Sequence, residues 1–153
     1  MAKFMLVFVH ILLLVLLPSL LPAKDNLLGL DFGLAFSRAS KVLIDNGFTP
    51  DQPDSLNFTN RDGSCVRLFL GIEEKLLLSW MICLPVPEQE DFEEQALSTL
   101  VSFHGDDYDY DWDYSEAWWK LDEFHYVNAG FNEDRSIYII FYGDTREEEL
   151  SPY

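Results

Sequence analysis

Beyond residue 28 the apolar positions follow one period and then another, and the order occurs twice. Gly29 to Gly33 is a short apolar lead-in. Ala39, Val42 and Leu43 then share one side of a helix that Ser37 is placed to cap and Asn46-Gly47 to end. After the loop Pro50 to Pro53 the pattern alternates. Leu56 and Phe58 mark a short strand, Asn60-Arg61-Asp62-Gly63 a turn, and Ser64 to Leu70 a second strand. A turn near Ile72 to Lys75 leads into Leu76 to Leu84, and Pro85 and Pro87 stop the sheet.

The order then recurs. Phe92, Ala96, Leu97 and Leu100 fall at helical spacing behind acidic residues suited to a helix N-terminus, and Gly105 closes that helix. Strands follow at Ala117 to Leu121, Phe124 to Phe131 and Ser136 to Tyr142, with turns at Asp122-Glu123 and Asn132 to Arg135. The predicted class is α+β, with tandem units of one helix and three antiparallel strands (α-βββ-α-βββ). The units cover about 29–87 and 88–144 of a single domain, 24–153. They repeat in element order, not in residue identity.

Register can be read for one hairpin. Setting Cys65 opposite Cys83 places Val66 against Ile82, Leu68 against Trp80 and Leu70 against Leu78, and requires an odd-length loop. The expected face containing Leu68, Leu78 and Trp80 packs on both helices. A Cys65–Cys83 disulfide is expected if the compartment is oxidising.

The start of the chain bears on that compartment. Lys3 precedes an apolar run, Phe4 to Leu17, followed by Pro18, Ser19 and Pro22 ahead of Ala23. This is the layout of a secretory signal peptide over 1–23, cleaved after the small Ala23. The run to Leu21 is about long enough for an uncleaved anchor, but the prolines near its end favour processing. The expected location is periplasmic or secreted, with no membrane span after cleavage.

Charge is uneven. Residues 24–87 carry eight acids against six bases, whereas 88–153 carry nineteen against three. The second half therefore repels nucleic acid and anionic headgroups, leaving basic proteins and cations as partners. Much of that charge also serves solubility.

Catalytic signatures are missing. His104 and His125 lack metal-ligand spacing, the serines lie in no nucleophile elbow, and no glycine-rich loop could cradle phosphate. No catalytic, cofactor-binding or metal residue is assigned. Asn57-Phe58-Thr59 matches a glycosylation acceptor, but its predicted strand position argues against modification.

The stretch GDDYDYDWDYSEAWW, residues 105–119, is the unusual one. As an EF-hand loop beginning at Asp107 it offers Trp112 where glycine is needed and Trp118 where glutamate is needed. If the chain is extended, Asp107, Asp109, Asp111 and Asp113 point one way and Tyr108, Tyr110, Trp112 and Tyr114 the other. The aromatics then either cover an end of the sheet, leaving a charged edge that blocks strand addition, or form a contact surface.

The segments FGLAFSRASKVLIDNGF and WWKLDEFHYVNAGFNEDRSIYIIFY make the chain resemble small exported bacterial α+β proteins of helix-plus-antiparallel-sheet units. That class includes the β-lactamase-inhibitor protein and the outer-membrane assembly lipoproteins of the BamE type, though this chain has no cysteine at the cleavage region for a lipid anchor. The resemblance implies a protein-binding or inhibitory role and not catalysis. The expectation is therefore a non-enzymatic protein binding a basic protein partner. The alternatives are a carboxylate-dependent hydrolase and a low-affinity calcium-binding or structural envelope component. Nothing in the sequence sets an oligomeric state.

Overall fold

A computed structural model describes residues 27–72, 74–88 and 90–146. The first helix, α1 (Phe36–Asp45), buries Ala39 and Leu43. It starts one residue before Ser37, at an N-cap of Ala35 that makes no side-chain cap, so Ser37 lies inside the first turn. Asn46 and Gly47 end it as expected. Gly47 takes φ +88°, and the N–H groups of Gly47 and Phe48 return to the carbonyls of Ile44 and Leu43. The second helix, α2 (Phe92–His104), buries Phe92 and Leu100 and is closed by Gly105 at φ +85°.

Four strands follow each helix: β1 (Thr49–Pro50), β2 (Asn57–Thr59), β3 (Cys65–Leu70) and β4 (Leu77–Pro85), then β5 (Asp109–Asp111), β6 (Glu116–Lys120), β7 (His125–Phe131) and β8 (Ile137–Asp144). All pair antiparallel in one eight-stranded sheet of order β1-β2-β3-β4-β8-β7-β6-β5. Each half is a meander running in chain order, and the last strands of the two halves meet at a central β4–β8 seam.

This corrects the three-stranded unit in two ways. Each half has a fourth strand at the outer edge, and the halves share one sheet. The missed strands have physical reasons to escape notice. β1 is two residues long and ends in proline, and β5 is Asp-Tyr-Asp, whose aspartates have low strand propensity.

Both helices pack on the same sheet face. The core combines Ala39, Leu43, Phe92 and Leu100 with alternate strand residues, among them Phe58, Leu68, Trp80, Trp119, Ile140 and Tyr142. The β3–β4 register is as expected from Cys65↔Cys83 through Phe69↔Ser79. It then slips, with Leu70 pairing with Leu77, because of an irregularity at Phe69/Leu70. Leu77, not Leu78, is therefore the buried core residue, and the loop after β3 has even length.

The expected signal peptide lies outside the described residues. Among the described residues no helix is long and apolar enough to cross a membrane.

Candidate functional site

The acidic-aromatic segment becomes the β5–β6 hairpin at one edge of the sheet. Extended backbone covers Asp109 to Asp111, and the chain turns through residues 112–115 with Ser115 at φ +54°. The Asp111 carboxylate closes the turn by accepting the N–H groups of Asp113 at 2.9 Å and Tyr114 at 3.4 Å. The expected alternation therefore stops at Trp112, and the eight residues divide into two sets.

Tyr108 and Tyr110 belong to the fold. Tyr108 stacks on buried Trp119 at 4.8 Å, and the Tyr110 hydroxyl donates to Glu93 of α2 at 2.5 Å. Burial, then the Glu93 carboxylate, push the Tyr110 hydroxyl above its ordinary pKa. Arg135 reaches Glu93 at 3.3 Å and lies 3.9 Å over the Phe131 ring, tying the β7–β8 turn to the same place.

Trp112 and Tyr114 are outside the fold. They are 85% and 73% exposed, very high for such large rings. Among the described residues Trp112 meets the ring of Tyr110 edge to face, at 4.6 Å between centroids. Asp107, Asp109, Asp111 and Asp113 are all exposed. An open cleft is lined by Asp109, Tyr110, Asp111, Trp112, Asp113 and Trp118.

Trp118, 43% exposed, leads from that cleft onto the sheet face away from the helices. Register lays this face out in rows. One runs Arg67, Met81, Phe141, Asn128, Trp118, Asp109 from β3 to β5. The next runs Cys65, Cys83, Ile139, Gly130, Glu116, Asp111. A chain of rings crosses it: Trp118 to Tyr126 at 5.7 Å, Tyr126 to Phe141 at 6.0 Å, and Phe141 to Phe69 at 6.0 Å. This face escaped the sequence reading. A signal for it exists in Ile137 to Tyr142, an unbroken apolar run that has apolar residues for both faces of a strand.

Cys65 and Cys83 meet across β3 and β4 as expected, but as free thiols, so the disulfide is not formed. Burial, then a hydrogen bond with Cys65, push the Cys83 thiol up to about 12. A protonated thiol is a poor nucleophile and a poor metal ligand.

The histidines have structural partners. His104 Nε2 lies 2.9 Å from the Tyr142 hydroxyl. His125 stacks on Phe32 at 3.9 Å, with Nδ1 2.7 Å from Asp122 and Nε2 3.4 Å from Asp144. The His125 hydrogen bond, then the Phe124 N–H, hold the Asp122 carboxyl down at about 2. Burial would raise Asp144, but the Arg146 guanidinium at 2.7 Å holds it below the usual range. Among the described residues no three His, Cys, Asp or Glu side chains converge as a metal site.

No family model, curated protein or solved structure matches this chain.

Proposed function

We propose that this is an exported, non-enzymatic protein that binds a basic protein partner through the β5–β6 hairpin. The observation that carries the reading is the exposure of Trp112 and Tyr114 beside four exposed aspartates. Large rings left in water are costly to a fold and valuable to an interface, where Tyr and Trp dominate binding energy. Their neighbours Tyr108 and Tyr110 anchor the hairpin to the core, so the tip is presented on a fixed support.

Electrostatics argues against three of the carboxyls as general acids. A general acid working near neutral pH needs a raised carboxyl pKa. Asp122, Asp134 and Asp144 are shifted the other way by their hydrogen-bonding and charged neighbours. The resemblance to small exported inhibitors and assembly proteins points in the same direction.

The test is kinetic. Replacing Asp107, Asp109, Asp111 and Asp113 by Asn should slow association with the basic partner and flatten its salt dependence, because exposed charges chiefly steer encounter. Unchanged association and an unchanged salt slope, in protein that remains folded, would remove the hairpin from the interface.

A further inference from the structure

Two indoles, Trp112 and Trp118, line the cleft at the β5–β6 hairpin together with Tyr110 and three aspartates, Asp109, Asp111 and Asp113. The lining carries three anions and no cation. Lys120, two residues beyond Trp118, pairs with Tyr126 and lies outside the lining. Trp112 meets the Tyr110 ring and Trp118 stacks on Tyr126, so each indole has an aromatic support while it stays 85% and 43% exposed, respectively. The carboxylates differ in their commitments. Asp111 uses Oδ1 to accept the N–H groups of Asp113 and Tyr114, whereas Asp109 and Asp113 accept no side-chain hydrogen bond from the described residues. Aromatic faces and uncommitted carboxylates therefore share one cleft.

We infer that this cleft seats one arginine side chain of the partner, its guanidinium plane on the indoles and its N–H groups donating to Asp109 and Asp113. Only a cation suits the lining, because an anion or a neutral group would leave three carboxylates without a counter-charge. Among cations the guanidinium fits both parts of the cleft: it is planar and weakly hydrated, stacks on aromatic faces, and directs a fork of donors at carboxylates. A lysine ammonium is a strongly hydrated point charge and gains less from the rings. A quaternary ammonium has no donor for the aspartates. A bare metal ion would leave the indoles unused, and no three ligating side chains converge here among the described residues. The cleft is open and about 480 Å³ in volume, so it takes a group tethered to a larger partner more readily than a free ligand, which must be buried on most of its surface. The inference rests on the proposed hairpin interface and names the group that the interface recognises.

The probes are capped tripeptides with Arg, Lys, trimethyllysine or the neutral isostere citrulline between two glycines, titrated into isotopically labelled protein. The indole N–H signals of Trp112 and Trp118 should shift together with the Arg peptide. The Lys peptide should bind about fivefold more weakly, and the citrulline peptide should cause no shift. Trp112→Ala should remove the preference for Arg over Lys, and Asp109→Asn combined with Asp113→Asn should weaken the Arg peptide about tenfold. All three positions are exposed, so these variants should fold, which spectral dispersion checks.

The failures separate. Tighter binding of the trimethyllysine peptide overturns the guanidinium assignment, and equal binding of the citrulline peptide overturns the role of charge. Shifts at Trp112 without Trp118 overturn the cleft as the seat. If no tripeptide shifts either indole while a longer Lys-rich peptide still shifts residues 107–114, the arginine cleft is lost and the hairpin interface stands. If the longer peptide also leaves the hairpin signals unmoved, both are removed.

Discussion

Trp80 stacks on Tyr142 across the β4–β8 seam, with ring centroids 4.6 Å apart and planes 12° from parallel. Phe32 meets the Trp80 ring at 4.7 Å, and the Tyr142 hydroxyl reaches His104 of α2 and the backbone N–H of Leu27. One aromatic pair therefore joins the two meanders, the second helix and the N-terminal lead-in. Trp80 is 1% exposed, so its truncation leaves a cavity that few neighbours can fill. Trp80→Ala should destabilise the domain by about 3–5 kcal/mol, measured by urea unfolding. A loss below about 1 kcal/mol would show that the seam does not depend on this ring.

Tyr126 lies over the bare backbone of Gly143, its register partner on β8, and a Cβ at residue 143 would overlap the Tyr126 ring and approach Phe141 to 2.7 Å. The missing side chain makes room for a ring on the sheet face away from the helices. Gly143→Ala should cost about 1–3 kcal/mol by overpacking. In the Tyr126→Ala background the same change should cost much less, which a double-mutant cycle measures directly. Additive costs would mean that the ring does not depend on the glycine.

Legibility followed the range of the interactions. The β3–β4 register could be read because two cysteines and two apolar pairs agreed over a short hairpin, and it failed at Leu70, where an irregularity shifts the partner to Leu77. The helices were legible from period and from the glycines that end them. Fusion of the two halves was not, because Trp80↔Tyr142 joins residues far apart in sequence and no local pattern specifies that pairing. At the hairpin, Tyr108 to Asp111 alternate as expected. The turn after Asp111 depends on that carboxylate capturing two N–H groups, a local choice that a period of two does not reveal.

The cysteine pair has the geometry for a covalent link. Leu68 N–H donates to Leu56 on the β2 side, so the odd residues of β3, Cys65 among them, direct their backbone groups at β4. Such a hydrogen-bonded pair has Cα atoms about 5.5 Å apart, inside the range a disulfide spans. Protein recovered from an oxidising compartment should contain the Cys65–Cys83 bond and gain about 3 kcal/mol over its reduced form. Thiol labelling of unreduced, denatured protein decides the matter, and two labelled thiols per chain would rule the bond out. Reduced folded protein should alkylate slowly at Cys83 at pH 8, because its thiol is held protonated.

Asp122 makes a pH prediction with a definite sign. Its folded pKa, about 2, lies below the ordinary carboxyl value of 3.8. The ionised form is thus favoured by folding, and this contribution is complete above about pH 4 and is lost as pH falls through the folded value near 2. The Asp122 side chain is 55% exposed, so solvent screening keeps the effect small. Asp122→Asn should lower the melting temperature slightly at neutral pH and bring the two curves together near pH 2. Parallel curves over that window would mean that the His125 contact does not set the Asp122 carboxyl.

The hairpin rings should separate by experiment as they do by position. Tyr110 packs toward the core and donates to Glu93, so Tyr110→Ala should destabilise the fold by about 1–3 kcal/mol through the lost burial and the lost hydrogen bond, with Glu93 keeping its contact to Arg135. Trp112 is 85% exposed, and Trp112→Ala should change stability by less than about 0.5 kcal/mol. Against a bound partner the ranking reverses. An exposed ring that becomes desolvated in the complex holds it together, so Trp112→Ala and Tyr114→Ala should speed dissociation and leave association nearly unchanged. Chemical unfolding and surface-binding kinetics on the same variants give both quantities. If Trp112→Ala lowers stability as much as Tyr110→Ala and leaves dissociation unaltered, the tip ring belongs to the fold and the interface must lie elsewhere.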